Sequence, residues 1–319
     1  MRSYSLPLQR AMTDFGPDNS FAKAADKVQE YYGVIIPVSG ERKITLAHAK
    51  KIKNQTDIAI KNKNTRINKK ALNSRIGSKV IISQTDGSMV PVVKINKSAK
   101  DKRKNKEVVH KEMRLTLAHE SGSTTPVFSA TFADIKTVGK HIRFCVDSAG
   151  CGKNSWVHAI GDGAPWIADQ VDNQFGSQAT YLLDFYHASE YLAAAAEECA
   201  ASTNRKWLKA QQQLLKCGKY QMVLNNLKYY ATRNQDGAAN KCYQYLKKRA
   251  NQLHYHTAIK NDLPIGSGEI ESAHRYIIQH RIKITGAWWL DEHAESMANL
   301  GTYRANNKWD NYWKQLNAE

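Results

Sequence analysis

The order of strand-like and helix-like segments through the middle of the chain constrains this sequence most. "KVIISQTDGSMVPVV" (79–93) alternates and is rich in β-branched residues. "EVVHKEMRLTLAHE" (107–120) sets Met113, Leu115 and Leu117 on one face, and "VFSATFA" (127–133) follows. All three read as strands joined by loops that can form hairpins. Ile135, Val138, Ile142 and Cys145 recur at helical spacing and predict a helix that ends before Gly150. "SWVHAIGDG" (155–163) reads as a fourth strand running into Pro165, a favourable first helical residue. "ATYLLDFYH" (179–187) reads as a fifth, running into an Ala-rich helix. Three strands followed by helix, strand, helix, strand, helix call for an α/β fold, a mixed sheet with helices on both faces.

That element order is the order of a ribonuclease H-like fold, and it locates two acids. Asp86 falls inside the first strand, where a carboxylate is a poor strand former. Asp162 falls at the end of the fourth, where open α/β sheets place their ligands. The two strands are neighbours in such a sheet, and two close carboxylates repel unless a cation lies between them. Mg²⁺ suits them, being oxygen-seeking and commonly held by one or two carboxylates together with phosphate oxygens. The plainer reading of either residue alone is a turn, because each precedes a glycine.

A third acid comes from "PIGSGEIESAHRYIIQHRIK" (264–283), where two glutamates follow a Gly-Ser-Gly turn on a predicted helix. Acidic residues in a first helical turn also complement the helix dipole, with no further role. On a regular helix, Ile270, Ala273, Ile277, Ile278 and Ile282 define the buried stripe. Glu271 then lies roughly 75° from its centre and Glu269 roughly 125°. Glu271 is expected to face the sheet edge and Glu269 the solvent. His274, Arg275, Arg281 and Lys283 continue the helix as phosphate contacts.

Charge points the same way. Lys and Arg number 47 against 29 acids, a formal net charge of +18, which suits a polyanionic partner. Arg42 to Arg75 is dense in basic residues (Arg66, Lys69 and Lys70 among them), with Asp57 the sole acid, and "KINKSAKDKRKNK" (94–106) reads as a basic hairpin loop or a solvated charge run. Phe21, Ala24, Ala25, Val28 and Tyr32 predict a helix that Gly33 ends. Thr45 is placed to cap a second helix carrying His48, Lys50 and Lys51. Helix, turn and basic helix outline a helix-turn-helix, with Arg42, Lys43, Lys50 and Lys51 as DNA contacts. Five cysteines without CxxC spacing read as reduced thiols of a cytosolic protein. No signal peptide or long apolar run suggests secretion or a membrane.

Taken in order, "TDGSMVPV", "KEMRLTLAHE", "AIGDGAPWI", "LLDFYHASEYL", "PIGSGEIES" and "RIKITGAWW" resemble the DDE transposases of bacterial insertion sequences. The likeness is to the Kra-type group, related to Mutator-like transposases, and runs from about Leu6 to the closing "NKWDNYW". It implies a catalytic, metal-binding triad of Asp86, Asp162 and Glu271 and two Mg²⁺ ions for which Mn²⁺ substitutes. It implies double-stranded DNA as partner, both element ends and target, bound by a homo-oligomer in the bacterial cytoplasm at the nucleoid. It also implies an all-helical insertion before the glutamate. The organisation expected is a helix-turn-helix and basic region over 1–75, a catalytic domain over 76–190 and 264–319, and the insertion over 191–263. Relatives usually carry Cys-x-x-His after the fifth strand, where this chain has Asp184-Phe-Tyr-His187, a candidate supporting pair around the metal site.

Other readings stay open. Asp147 would be the first acid if "HIRFCVD" were a strand, and Asp184 competes with Asp162 as the second. His187 reads first as a structural partner and only second as a ligand. Trp288, Trp289, Trp309 and Trp313 read as core, with one of the first pair a candidate to stack on an unpaired base. The chain lacks a P-loop, so ATP is not expected. A transposon-derived protein that binds DNA without cutting it, and a ribonuclease H-like nuclease or resolvase, are the competing functions.

Overall fold

The computed structural model describes residues 4–64, 74–95 and 106–318. The interior of the 94–106 stretch lies outside the described residues, as do Arg66, Lys69 and Lys70.

β1 (Val80–Ile95), β2 (Lys106–Glu120), β3 (Val127–Thr131), β4 (Trp156–Gly161) and β5 (Ala179–Leu183) form one five-stranded sheet in the order β3-β2-β1-β4-β5. The first three pair antiparallel, whereas β1–β4 and β4–β5 are parallel. The parallel pairs need crossovers, and these are α4 (Ile135–Ser148) and α5 (Pro165–Phe175). α4 is helical through Asp147, which excludes that residue as a strand acid. The fifth strand stops earlier than its sequence suggests. Asp184 caps α6 (Phe185–Ala200), so His187 is helical.

The sheet buries both faces. Ile81, Ala118, Val157 and Ala159 pack on α4 and α5. Val90, Val92, Met113, Leu115 and Leu117 pack on the other side against α12 (Asp291–Ala305) and the segment before it. That segment, α11, opens as Gly268–Ala273, widens into a π-helical turn over His274–Gln279 and closes with His280–Ile282. α7 (Asn204–Lys216), α8 (Tyr220–Arg233), α9 (Ala238–Lys248) and α10 (Tyr255–Lys260) gather with α6 around a further core of Leu192, Leu215, Leu227 and Leu246. None of the described helices is long and apolar enough to cross a membrane.

At the amino-terminal end, α1 (Leu6–Phe15), α2 (Phe21–Tyr32) and α3 (Val38–Lys63) pack together. Gly33 ends α2 at φ 66° in the left-handed region, as its position predicts. The expectation for Thr45 is corrected: α3 starts at Val38, and Thr45 is buried inside it, donating to Glu41 Oε1 at 2.8 Å. Pro37, fixed in φ and held extended, starts the helix earlier than a hydroxyl cap would. Ala49 and Ile52 of α3 belong to the core under the sheet, and His48 Nδ1 lies 2.6 Å from the Tyr312 hydroxyl in α13 (Trp309–Ala318).

Candidate active site

β1 runs parallel to β4, and the last residues paired between them are Gln84 and Ile160. Two residues further along both strands come Asp86 and Asp162. Neighbouring strands lie ~4.8 Å apart, so the sheet sets the two acids side by side. Burial chiefly, then the carboxylates of Asp162 and Glu112, push the Asp86 carboxyl up to about 6, against a hydrogen bond from Gly87 and the charge of His187. Asp86 Oδ1 accepts from Gly87 N at 2.7 Å, and Asp162 Oδ1 from Ala164 N at 2.8 Å. The second oxygen of each accepts no hydrogen bond among the described residues. His274 comes close, its Nε2 3.6 Å from Asp86 Oδ2 and 3.3 Å from the Asp86 carbonyl. Burial lowers its pKa to about 4, so it stands there as a neutral ring.

The loop carrying Asp162 is clamped from the helical block. Tyr245 donates its hydroxyl to the Asp162 carbonyl at 2.6 Å, and Arg249 Nε donates to the Gly163 carbonyl at 2.8 Å. From β5, the Tyr181 hydroxyl accepts from Gly163 N at 3.1 Å. Tyr245 is itself stacked on Tyr191 at 3.9 Å, and the Arg249 guanidinium carbon lies 3.9 Å from the Tyr245 ring centre. Sequence reading missed both residues, because nothing local marks a tyrosine in a distant helix as a partner of this loop.

α11 lies across β1. Ile270 N donates to Gln84 Oε1 at 3.0 Å, and His274 sits one turn on. Glu269 leans to the β2 flank, where its carboxylate accepts from His119 Nε2 at 2.9 Å. Glu271, about 200° further round the helix, is left on the opposite flank. Its side chain is 69 % exposed and pairs with Arg275 at 2.5 Å. The expected phase is therefore corrected: Glu269 is the glutamate engaged with the sheet, and Glu271 is the exposed one. A stripe extrapolated as regular α-helix runs through the π-helical turn, where the angle per residue is smaller and the phase slips.

Among the described residues, no three acidic, histidine or cysteine side chains converge into a group that could hold a metal ion. The structure brings Asp86 and Asp162 together and leaves Glu271 with Arg275. The pair alone suits Mg²⁺, which completes its shell with water and phosphate oxygens.

Asp184 is buried and fully engaged. Oδ1 accepts from the backbone N–H groups of Tyr186 and His187 at 2.6 and 2.9 Å, while Oδ2 accepts from Ser267 N at 2.5 Å and from the Ser267 hydroxyl. It is a helix cap that also anchors the Gly-Ser-Gly turn before α11. With its lone pairs so used, it does not replace Asp162. His187 meets the stacked Tyr191 and Tyr245 rings edge-on and is close enough to Asp86 to act on it electrostatically. Glu112, paired with Arg114 at 2.5 Å and packed over Gly87, is a further acid beside Asp86 that sequence reading did not single out.

The basic residues divide. Arg42, Lys43, Lys50 and Lys51 are exposed on α3, and Arg275 is exposed on α11. Arg281 is corrected as a phosphate contact of the outer surface: it is 5 % exposed, between the rings of Phe21 and Trp289, donating Nε to the Gly16 carbonyl at 2.8 Å. The close of α11 faces inward there because α1 and α2 cover it. Lys283 is half-buried and donates to Ser88 Oγ at 2.6 Å.

No protein-family model matches the chain, and no curated protein matches it at a significant level.

Proposed function

We propose that the chain is a DDE-type DNA transposase that binds element ends and carries out metal-dependent phosphodiester hydrolysis and strand transfer. The observation that carries this reading is the placement of Asp86 and Asp162 side by side on adjacent parallel strands, with the Asp86 carboxyl held at about 6. A half-buried acid raised in this way and set beside another carboxylate is a site that gains from a dication. The β3-β2-β1-β4-β5 order supports assigning the sheet to the ribonuclease H-like class. The α2–α3 pair supports the helix-turn-helix reading, and the exposed lysines and arginines of α3 supply phosphate contacts.

Asp86 and Asp162 would hold Mg²⁺, which would supply activation of a water or 3′-hydroxyl and stabilisation of the leaving oxygen in an in-line displacement at phosphorus. The Tyr245–Arg249 clamp fixes the Asp162 backbone. Glu271, paired with Arg275 in this structure, would be available as a third acid once a phosphate takes that arginine.

The test uses a labelled duplex of the element end with Mg²⁺ or Mn²⁺. Asp86→Asn, Asp162→Asn and Glu271→Gln should each lower cleavage about a thousandfold or more while leaving DNA binding intact. Full activity in all three variants would remove the metal site. Activity lost in Glu269→Gln and kept in Glu271→Gln would make Glu269 the third acid.

A further inference from the structure

Seven residues along β1 from Asp86, ~23 Å at strand rise, Val93 borders a cavity of about 440 Å³ that has no part in the acid pair. Its walls combine aromatic rings with cations: Phe21, Arg42, Lys106, Arg281, Trp288 and Trp289. No carboxylate lines it among the described residues.

Arg281, 5 % exposed, forms the floor, donating Nε to the Gly16 carbonyl and lying against the rings of Phe21 and Trp289. Its Nη2 and the Nε1–H of Trp289 are closed off from solvent, so the guanidinium acts on the cavity through its charge and not through a free N–H. The rim offers a different chemistry. Trp288 is 56 % exposed, unusual for so large an apolar surface, and Lys106 Nζ lies 4.1 Å from its ring centroid. One ligand can therefore meet a flat aromatic face and a cation within a few ångströms, with Arg42 exposed beside them.

We propose that this cavity binds a single nucleotide unit, its base stacked on Trp288 and its phosphate held by the exposed cations Lys106 and Arg42. A phosphate alone leaves Trp288 without a role, and an apolar ligand leaves the cations unmet. A nucleotide satisfies both. The unit comes either from a free nucleotide or from an unpaired stretch of a strand, and the chemistry at the cavity is the same. The inference is independent of the metal chemistry proposed above, because its readout is binding.

The experiment measures anisotropy of a labelled oligothymidylate and calorimetry with adenosine 5′-monophosphate, on the full chain without divalent metal. Trp288→Ala should weaken binding about tenfold or more and Trp288→Phe should restore most of it, since stacking tolerates a change of ring. Lys106→Gln and Arg42→Gln should weaken binding and flatten its salt dependence. Sensitivity of both ligands supports a cavity open to free nucleotide; sensitivity of the oligonucleotide alone supports a strand as the source. Trp288 is exposed, so its variants should melt with the parent. If Trp288→Ala fails to fold, Trp288→Phe and Lys106→Gln carry the comparison. Binding unaffected by Trp288→Ala and Lys106→Gln overturns the proposal, as does inorganic phosphate displacing the oligonucleotide equally from the parent and Trp288→Ala. Cleavage is read in a separate assay, so failure here and failure of the triad are told apart.

Discussion

Because burial holds the Asp86 carboxyl up at about 6 from an ordinary 3.8, the folded chain keeps a proton there that the unfolded chain gives up. Without metal, stability accordingly falls as pH rises through that interval. Asp86→Asn should raise the melting temperature above that interval by about 1–2 °C and abolish the increase that Mg²⁺ gives the parent, as thermal melts with and without Mg²⁺ would show. His119 moves stability in the same direction with pH, but by losing a favourable contact rather than by acquiring a penalty. Glu269 raises its pKa above 6.5, so the pair's stability is full below 6.5 and lost as pH rises through the elevated value. The Glu269 side chain is half exposed, and Glu269→Gln should cost at most about 1 kcal/mol near pH 6 and close to nothing near pH 9 in urea unfolding. Asp184 belongs to a different class, since four donors converge on its buried carboxylate. Asp184→Ala should cost about 3 kcal/mol in the same assay, the sum of a lost cap and stranded donors.

At the scale of elements, most of the sheet was legible before any coordinates. Period-two alternation and the Pro165 and Gly33 boundaries mark strands and helix ends through local physics, which is why β1 to β4 and α2 fall close to where the sequence puts them, while β5 starts as expected and stops at Leu183. Asp86 and Asp162 were legible for the same reason, since strand order alone makes them neighbours. What failed was phase and company. The π-helical turn has no signature in the isoleucine spacing, so the two glutamates of α11 exchanged their expected faces. Asp184 reads alike as a site acid or a cap until Ser267, far along the chain, arrives beside it. Tyr245 was invisible because its role depends wholly on α9 docking against the β4 loop. Tyr245→Phe should cost about 1 kcal/mol of stability and lower cleavage without changing affinity for DNA, a separation that a merely structural tyrosine would not give.

For the molecule as a whole, α1 to α3 are bound to the sheet's own core. Ala49 and Ile52 pack with Val90, Met113 and Met297, Trp309 Nε1 donates to Asp14 at 2.5 Å, and Arg304 pairs with Asp18 at 2.9 Å. Removing residues 1–75 should therefore leave a chain that aggregates or melts well below the parent by circular dichroism; point variants at Lys50 and Lys51 are the means to weaken DNA binding in an intact fold. With a net charge of +18, that binding should fall steeply between about 50 and 200 mM salt in the anisotropy assay. The stitch between Asp184 and the turn before α11 bears on how such a chain reaches this state. Phe185 N donates to the Ile265 carbonyl at 2.9 Å in the same place, so both ends of the long helical excursion meet at its base. Tying off a loop of that size in an unstructured chain costs about 4 kcal/mol of entropy. The helices between share a core with the ends of β4 and β5, in which Leu215, Leu227 and Leu246 are close in sequence to one another. Were these helices to condense first, they would bring Asp184 and Ser267 within reach before the turn ahead of Glu271 is fastened.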